Sequence, residues 1–191
     1  HRFNVIKFDD NIFNGCVDCN ILCGCSEGVA MELNNIPTIG IRIPNTGPTN
    51  FMQRFSHGIF ALNTNLFVRN INIENLDRDN FSAGIFFKKT IASSRNLNID
   101  EMQFNQMETG VYGELAGGAN HTLTALASNP YQSLKFSEVS KGYELYGLST
   151  KITGNIRFND INSSSSSTAH GIFTYVTLPN NSMTIRNNKI N

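Results

Sequence analysis

Phe-Ser-His-Gly-Ile-Phe at 55–60 returns as Phe-Ser-Ala-Gly-Ile-Phe at 81–86 and as Thr-Ala-His-Gly-Ile-Phe at 168–173. Looser echoes, Glu-Gly-Val-Ala, Thr-Gly-Val-Tyr and Lys-Gly-Tyr-Glu, add Gly28, Gly110 and Gly142 to Gly58, Gly84 and Gly171, in steps of 26 to 32 residues. A second marker alternates with these glycines. It has the form apolar-x-apolar-x-x-(apolar or Asn), and reads Ile6-Phe8-Asn11, Ile71-Ile73-Leu76, Leu97-Ile99-Met102, Leu134-Phe136-Val139, Ile156-Phe158-Ile161 and Met183-Ile185-Asn188, with a poorer copy at Ile41-Ile43. Two markers alternating along the whole chain identify a structural repeat, and a period of this size means a solenoid, a propeller or an array.

The content of the unit narrows the choice. A propeller blade needs four strands and about 40 residues, more than these units hold, and leucine-rich spacing is missing. The chain has 15 Gly, 14 Phe and no Trp, is rich in Asn, and shows no sustained 3.6-residue apolar period. Asn and Gly favour turns while Ile, Val, Phe and Thr favour strands. The expectation is an all-β chain of 191 residues folded as one domain. It is a coil of six to seven turns of parallel β-structure with variable loops leaving the stack. Three stretches read as insertions: 14–27, 113–133 and 163–167. Both ends lie in coil-like sequence without a visible polar cap, so a segment of a longer chain is expected.

Charge excludes some partners. Fifteen basic and fifteen acidic residues cancel, which gives nucleic acid or an anionic membrane no broad attraction. No apolar run reaches the roughly 20 residues of a membrane-spanning helix.

The Gly-Ile-Phe strand together with the apolar-x-apolar-x-x-Asn turn resembles the right-handed parallel β-helix proteins of the pectin-lyase-like superfamily. The resemblance covers the whole chain and speaks to fold more than to activity. It implies that equivalent residues stack in successive coils, and that the sheet carrying the Gly-Ile-Phe strand corresponds to the floor of a substrate cleft in carbohydrate enzymes of that fold.

Side chains alternate along a strand. The residue after each glycine is apolar and expected inward. The next, Ala30, Phe60, Phe86, Tyr112, Glu144 and Phe173, then points outward, as do Glu32, Leu62, Lys88, Glu114, Tyr146 and Tyr175 two positions on. Phe60, Phe86 and Tyr112 are expected to form a contiguous stack. Such a stack is either a platform for sugar rings, with Lys88, Tyr146, Phe173 and Tyr175 beside it, or a surface covered by the 113–133 loop or a neighbouring domain.

Chemistry is harder to place. Cys16, Cys19, Cys23 and Cys25 are all the cysteines of the chain. Two local disulfides, a tetrahedral metal site and free thiols are all open to them. Glu114 and Glu144 fall on one face in adjacent coils at a separation of roughly 8 Å, permissive for glycoside hydrolysis. The clustered Asp, Gly-His-Gly and Arg-x-Lys elements of polygalacturonases are absent, however, and Phe-Asp-Asp-Asn stands alone near the start. His57 and His170 occupy equivalent places four coils apart, about 19 Å, and cannot share a reacting atom. Turn carboxylates Glu101, Glu138 and Asp160 are candidates for calcium, which wants several converging oxygens; no other cofactor is indicated.

The reading that follows is a non-enzymatic β-helix segment of a secreted or cell-surface protein. It acts as an adhesive or scaffold, or as a polysaccharide-binding module, with a polysaccharide or protein partner on the outer sheet and further domains or subunits flanking it. The alternative is a polysaccharide lyase or glycoside hydrolase with its cleft on the Phe60/Phe86/Tyr112 sheet.

Overall fold

The structure, a computed structural model, describes residues 5–7, 12–14, 28–42, 51–53, 55–74, 76, 82–91, 97–100, 102–115, 122–126, 134–146, 149–153, 156–161, 169–175, 183–186 and 189–190. Among these residues there is no helix, and every strand pairing is parallel. With strands numbered in chain order, one seven-stranded sheet contains β1 (Val5–Lys7), β4 (Ile39–Arg42), β7 (Leu66–Arg69), β10 (Leu97–Asp100), β12 (Thr122–Leu126), β14 (Ser149–Thr153) and β17 (Met183–Arg186), neighbours in that order. The second sheet has eleven strands. Its short row holds β2 (Ile12–Asn14), β5 (Phe51–Gln53), β8 (Asn72–Glu74), β15 (Ile156–Ile161) and β18 (Lys189–Ile190). Its glycine row holds β3 (Val29–Asn34), β6 (His57–Leu62), β9 (Ala83–Lys89) and β16 (His170–Tyr175). The long strands β11 (Gln103–Leu115) and β13 (Leu134–Tyr146) run through both rows and join them.

Each repeat therefore gives one strand to the first sheet and two stretches to the second. Ile6, Ile41, Val68, Ile99, Ala125, Ile152 and Ile185 share one line of the first sheet. Phe13, Met52, Ile73, Phe104, Phe136, Phe158 and Ile190 share one line of the short row. The second marker of the sequence is thus two stacks, not one: Leu97-Ile99 belongs to the first sheet, whereas Ile71-Ile73 and Leu134-Phe136 belong to the short row. Both strands carry the same apolar-x-apolar pattern, and periodicity has no means of telling one inward-facing strand from another.

Corners are made where the chain enters left-handed backbone. Asn35, Asn63 and Asn70 have φ of 56°, 51° and 61°, a region that Asn enters at lower cost than most residues. Asn63 also ties neighbouring repeats together. Its amide donates to Asn35 Oδ1 at 3.1 Å and Thr90 Oγ1 at 3.0 Å, and its Oδ1 accepts from the Thr90 backbone N at 2.8 Å. Inside β11 and β13 the bend falls on Gln106 and Glu138, which are hydrogen-bonded to each other at 3.2 Å.

The core lies between the two sheets. Ile41, Val68 and Ile99 from the first sheet, Ile73, Phe104 and Phe136 from the short row, and Ile59, Ile85, Val111 and Tyr143 from the glycine row belong to one buried cluster. Phe104 and Phe136 stack at 4.9 Å and 11°. Burying a side chain such as Ile85 contributes roughly 1.5–3 kcal/mol.

Gly58, Gly84, Gly110, Gly142 and Gly171 fall in one line, because the residues flanking them pair in register across five strands. The reason for glycine is close approach. A methyl on Gly84 would lie 2.5 Å from Phe104 Cδ1 and 2.7 Å from the Gly110 carbonyl oxygen. One on Gly58 would lie 2.7 Å from the Gly84 carbonyl oxygen and 2.9 Å from Ile73, and one on Gly110 would collide with the Phe136 ring. Each glycine leaves room for the short-row side chain of the next repeat.

Two expectations are corrected here. Gly28 is not in the line: Val29 pairs with His57 and Met31 with Ile59, which puts Glu32, not Ala30, beside Phe60 and Asn34 beside Leu62. A slip of two residues preserves which side chains face inward, so the alternation of Met31 and Leu33 is equally satisfied either way. The stretch 113–133 is not one insertion either. β11 continues to Leu115, and β12 fills the first sheet between β10 and β14. Thr-Leu-Thr-Ala-Leu alternates as a strand should, but Ala125 stands where other repeats have Ile or Val, and the marker is hidden. Residues 15–27, with Cys16, Cys19, Cys23 and Cys25, and residues 162–168 lie outside the described residues.

Candidate functional site: an aromatic face on the glycine row

The outward side of the glycine row forms a grid. One line holds Glu32, Phe60, Phe86, Tyr112, Glu144 and Phe173 on successive strands, and the line two residues on holds Asn34, Leu62, Lys88, Glu114, Tyr146 and Tyr175. From Phe60 onward both lines match the sequence expectation.

The rings are in contact along the stack. Phe60 and Phe86 are 5.1 Å apart at 24°, and Phe86 and Tyr112 are 4.8 Å apart at 34°. Glu144 interrupts the first line after Tyr112, and Tyr146 fills the gap from the neighbouring line, 5.7 Å from Tyr112 and 5.9 Å from Phe173. Tyr175 continues it, 6.4 Å from Tyr146. Stacked rings such as Phe60 and Phe86 cover one another's faces. Tyr146 is inclined by 47° to 57° to its neighbours, and Tyr175 is 56% exposed. Tyr175 is therefore the accessible ring at this end, with the half-buried Tyr146 and Phe173 beside it.

Sequence alternation missed a third line. In β6, Gly58 and Ile59 are both buried, so the residue before the glycine returns to the outer face. His57 consequently packs 5.2 Å from Phe86, and His170 lies 5.5 Å from Phe173. They are four strands apart in register. The same position in β13 is Lys141. Its ammonium donates to both Glu144 oxygens at 3.1 Å and lies 3.6 Å from Glu108. A glycine that places two consecutive residues inward is the signal that identifies these side chains as outward.

The two candidate carboxylates have different surroundings. Glu144 is buried, 6% exposed. Besides Lys141 it accepts hydrogen bonds from the Tyr146 phenol at 2.8 Å and from Thr109 Oγ1 at 3.4 Å. Glu114 is one-third exposed and paired with Lys88 at 3.3 Å. The Tyr112 phenol is influenced by both: burial first, then the charges of Glu114 and Glu144, push it above its usual range. Burial, the hydrogen bond to Glu144 and that carboxylate's charge push Tyr146 up to about 12. His57, half-buried beside Phe60 and Phe86, is shifted below its usual value by that partial burial. Its Nδ1 is 2.9 Å from Ser56 Oγ, whose proton goes to the Gly28 carbonyl at 2.8 Å.

Among the calcium candidates only Glu138 has a described side chain. Position 138 faces position 160 in register, while 101 falls between β10 and β11. Glu101 and the Asp160 side chain lie outside the described residues. Among the described residues no three His, Cys, Asp or Glu side chains gather in a metal-binding group, and no helix is long and apolar enough to cross a membrane.

Comparison of the chain with protein-family models, with curated proteins and with solved structures finds no significant match.

Proposed function

We propose that the repeat winds as a right-handed parallel β-helix, as the likeness to the pectin-lyase-like superfamily implies, and that the chain is a non-enzymatic binding segment of a secreted or cell-surface protein. Its outer aromatic face takes a polysaccharide. One observation carries the reading: a ladder of rings runs without a break from Phe60 through Phe86, Tyr112 and Tyr146 to Phe173 and Tyr175. Aromatic rings provide large contact area at low entropic cost, and a linear array of them suits a linear ligand.

The carboxylates weigh against the enzyme alternative. A general acid has to exchange its proton with the substrate. Glu144 is buried, with its oxygens engaged by Lys141, Tyr146 and Thr109. That arrangement holds Tyr146 in place and serves the face.

The test is binding of the parent chain and of Tyr175→Ala to a panel of immobilised polysaccharides, with thermal midpoints measured in parallel. Binding by the parent, weakened in Tyr175→Ala at an unchanged midpoint, supports the reading. A parent that binds no member of the panel contradicts it.

A further inference from the structure

We infer that the ligand of this face is an uncharged glycan, and that Lys88 and Glu114 are its specificity-determining residues, a conclusion that rests on the polysaccharide reading above. The first support is charge. On and beside the face, among the described residues, Lys88 and Lys141 stand against Glu32, Glu108, Glu114 and Glu144. Both ammonium groups are within salt-bridge distance of carboxylates. An acidic polymer would meet an excess of carboxylate and would have to displace Glu114 or Glu144 to reach a lysine. Like-charge juxtaposition of this kind excludes wrong partners.

The second support is the location of the Lys88–Glu114 pair. It lies in the same line as Tyr146 and Tyr175, so Lys88, Glu114, Tyr146 and Tyr175 occupy four adjacent strands. At ~4.8 Å per strand the line is ~14 Å long, longer than one sugar ring. The exposed Tyr175 ring, with Tyr146 beside it at 6.4 Å, suits the apolar face of a pyranose. The pair at the other end offers an acceptor and a donor 3.3 Å apart, which match the hydrogen-bonding needs of two adjacent hydroxyls. With both side chains about one-third exposed, the pair is screened by solvent and contributes little to the fold. It is therefore free to reorganise onto hydroxyls at little cost, unlike the buried Glu144 network.

The experiment titrates the full chain with xyloglucan and galactomannan (neutral), polygalacturonate and heparin (acidic) and chitosan (cationic), at low and high salt. Parent, Tyr175→Ala, Lys88→Gln and Glu114→Gln are compared, with melting profiles as a folding control. The expected result is binding of a neutral polymer with affinity nearly independent of salt. Tyr175→Ala should weaken it about tenfold, and Lys88→Gln and Glu114→Gln should each weaken it several-fold at an unchanged melting midpoint. Salt-sensitive binding of an acidic polymer that is lost in Lys88→Gln, or of chitosan that is lost in Glu114→Gln, overturns the inference while leaving the aromatic platform standing. Neutral binding that depends on Tyr175 but not on Lys88 or Glu114 overturns their assignment. Absence of binding to every polymer overturns the platform itself.

Discussion

The Tyr146 phenol donates to Glu144 Oε1 at 2.8 Å, two residues away on the same strand, and this bond keeps the aromatic ladder continuous where the ring line itself is broken. Glu144 stands in the position that Phe86, Tyr112 and Phe173 hold in neighbouring strands. A carboxylate there would leave a polar gap. Because it fixes Tyr146 beside it, the gap is bridged by a ring from the next line.

Tyr146→Phe keeps the ring and deletes the hydrogen bond. A bond to a charged acceptor contributes about 1.5–3 kcal/mol, and Lys141 and Thr109 remain on Glu144, so the expected loss by denaturant unfolding is at the low end, about 1.5 kcal/mol. A variant as stable as the parent would show that the bond holds nothing in place.

The same bond makes stability fall in alkali. The folded Tyr146 keeps its proton up to about 12, above the usual 10.0 of a tyrosine. Its contribution is complete below pH 10 and is lost as pH rises through the folded value. Tyr112 and Tyr143 are shifted in the same direction, chiefly by burial. Unfolding free energy should therefore decline between pH 10 and 12, and less steeply in Tyr146→Phe. Equal slopes in parent and variant would contradict this.

His57 acts at the other end of the scale. Burial lowers its folded pKa below 6.5, so its contribution is present above pH 6.5 and lost as pH falls further, where the unfolded chain binds a proton that the folded chain resists. Thermal midpoints of the parent should drop on acidification below pH 6.5, and those of His57→Gln should drop less. A steeper acid loss in His57→Gln would reverse the assignment.

Much of this face was legible because Phe-Ser-x-Gly-Ile-Phe states its own register. Once Gly58, Gly84 and Gly110 are superposed, Phe60, Phe86 and Tyr112 must be neighbours. What was not legible has two physical causes. Patterns that preserve parity hide slips of two, which is why Gly28 misled. A glycine that turns two consecutive residues inward breaks alternation, which is why Lys141 was missed and why His57 and His170, though recognised as equivalent, were not placed on the aromatic face. The burial of Glu144 depends on Lys141, Tyr146 and Thr109, and the last of these lies in a different repeat.

The glycine line gives a sharp stability test. Gly84→Ala sets a methyl against the Gly110 carbonyl oxygen, at 2.7 Å, as well as the Phe104 ring. A ring edge has some room to move, whereas a carbonyl paired within the sheet has little. Overpacking of this kind costs about 1–3 kcal/mol or more. Ile85→Ala, at a side chain with no exposure, should cost about 2–5 kcal/mol. An unchanged unfolding midpoint in either variant would mean that the inward and outward faces are reversed.

If the Tyr146 and Tyr175 end of this face is where the chain meets its ligand, a tyrosine nitration footprint with and without saturating neutral polysaccharide will register it. Tyr143, with no exposure, is the internal control and should stay unmodified in both states. Tyr175, the most exposed ring of the face, should be nitrated in the free chain and protected in the complex, with Tyr146 and Tyr112 protected alongside it. Nitration of Tyr175 at the same rate in free and polysaccharide-bound protein would contradict the claim.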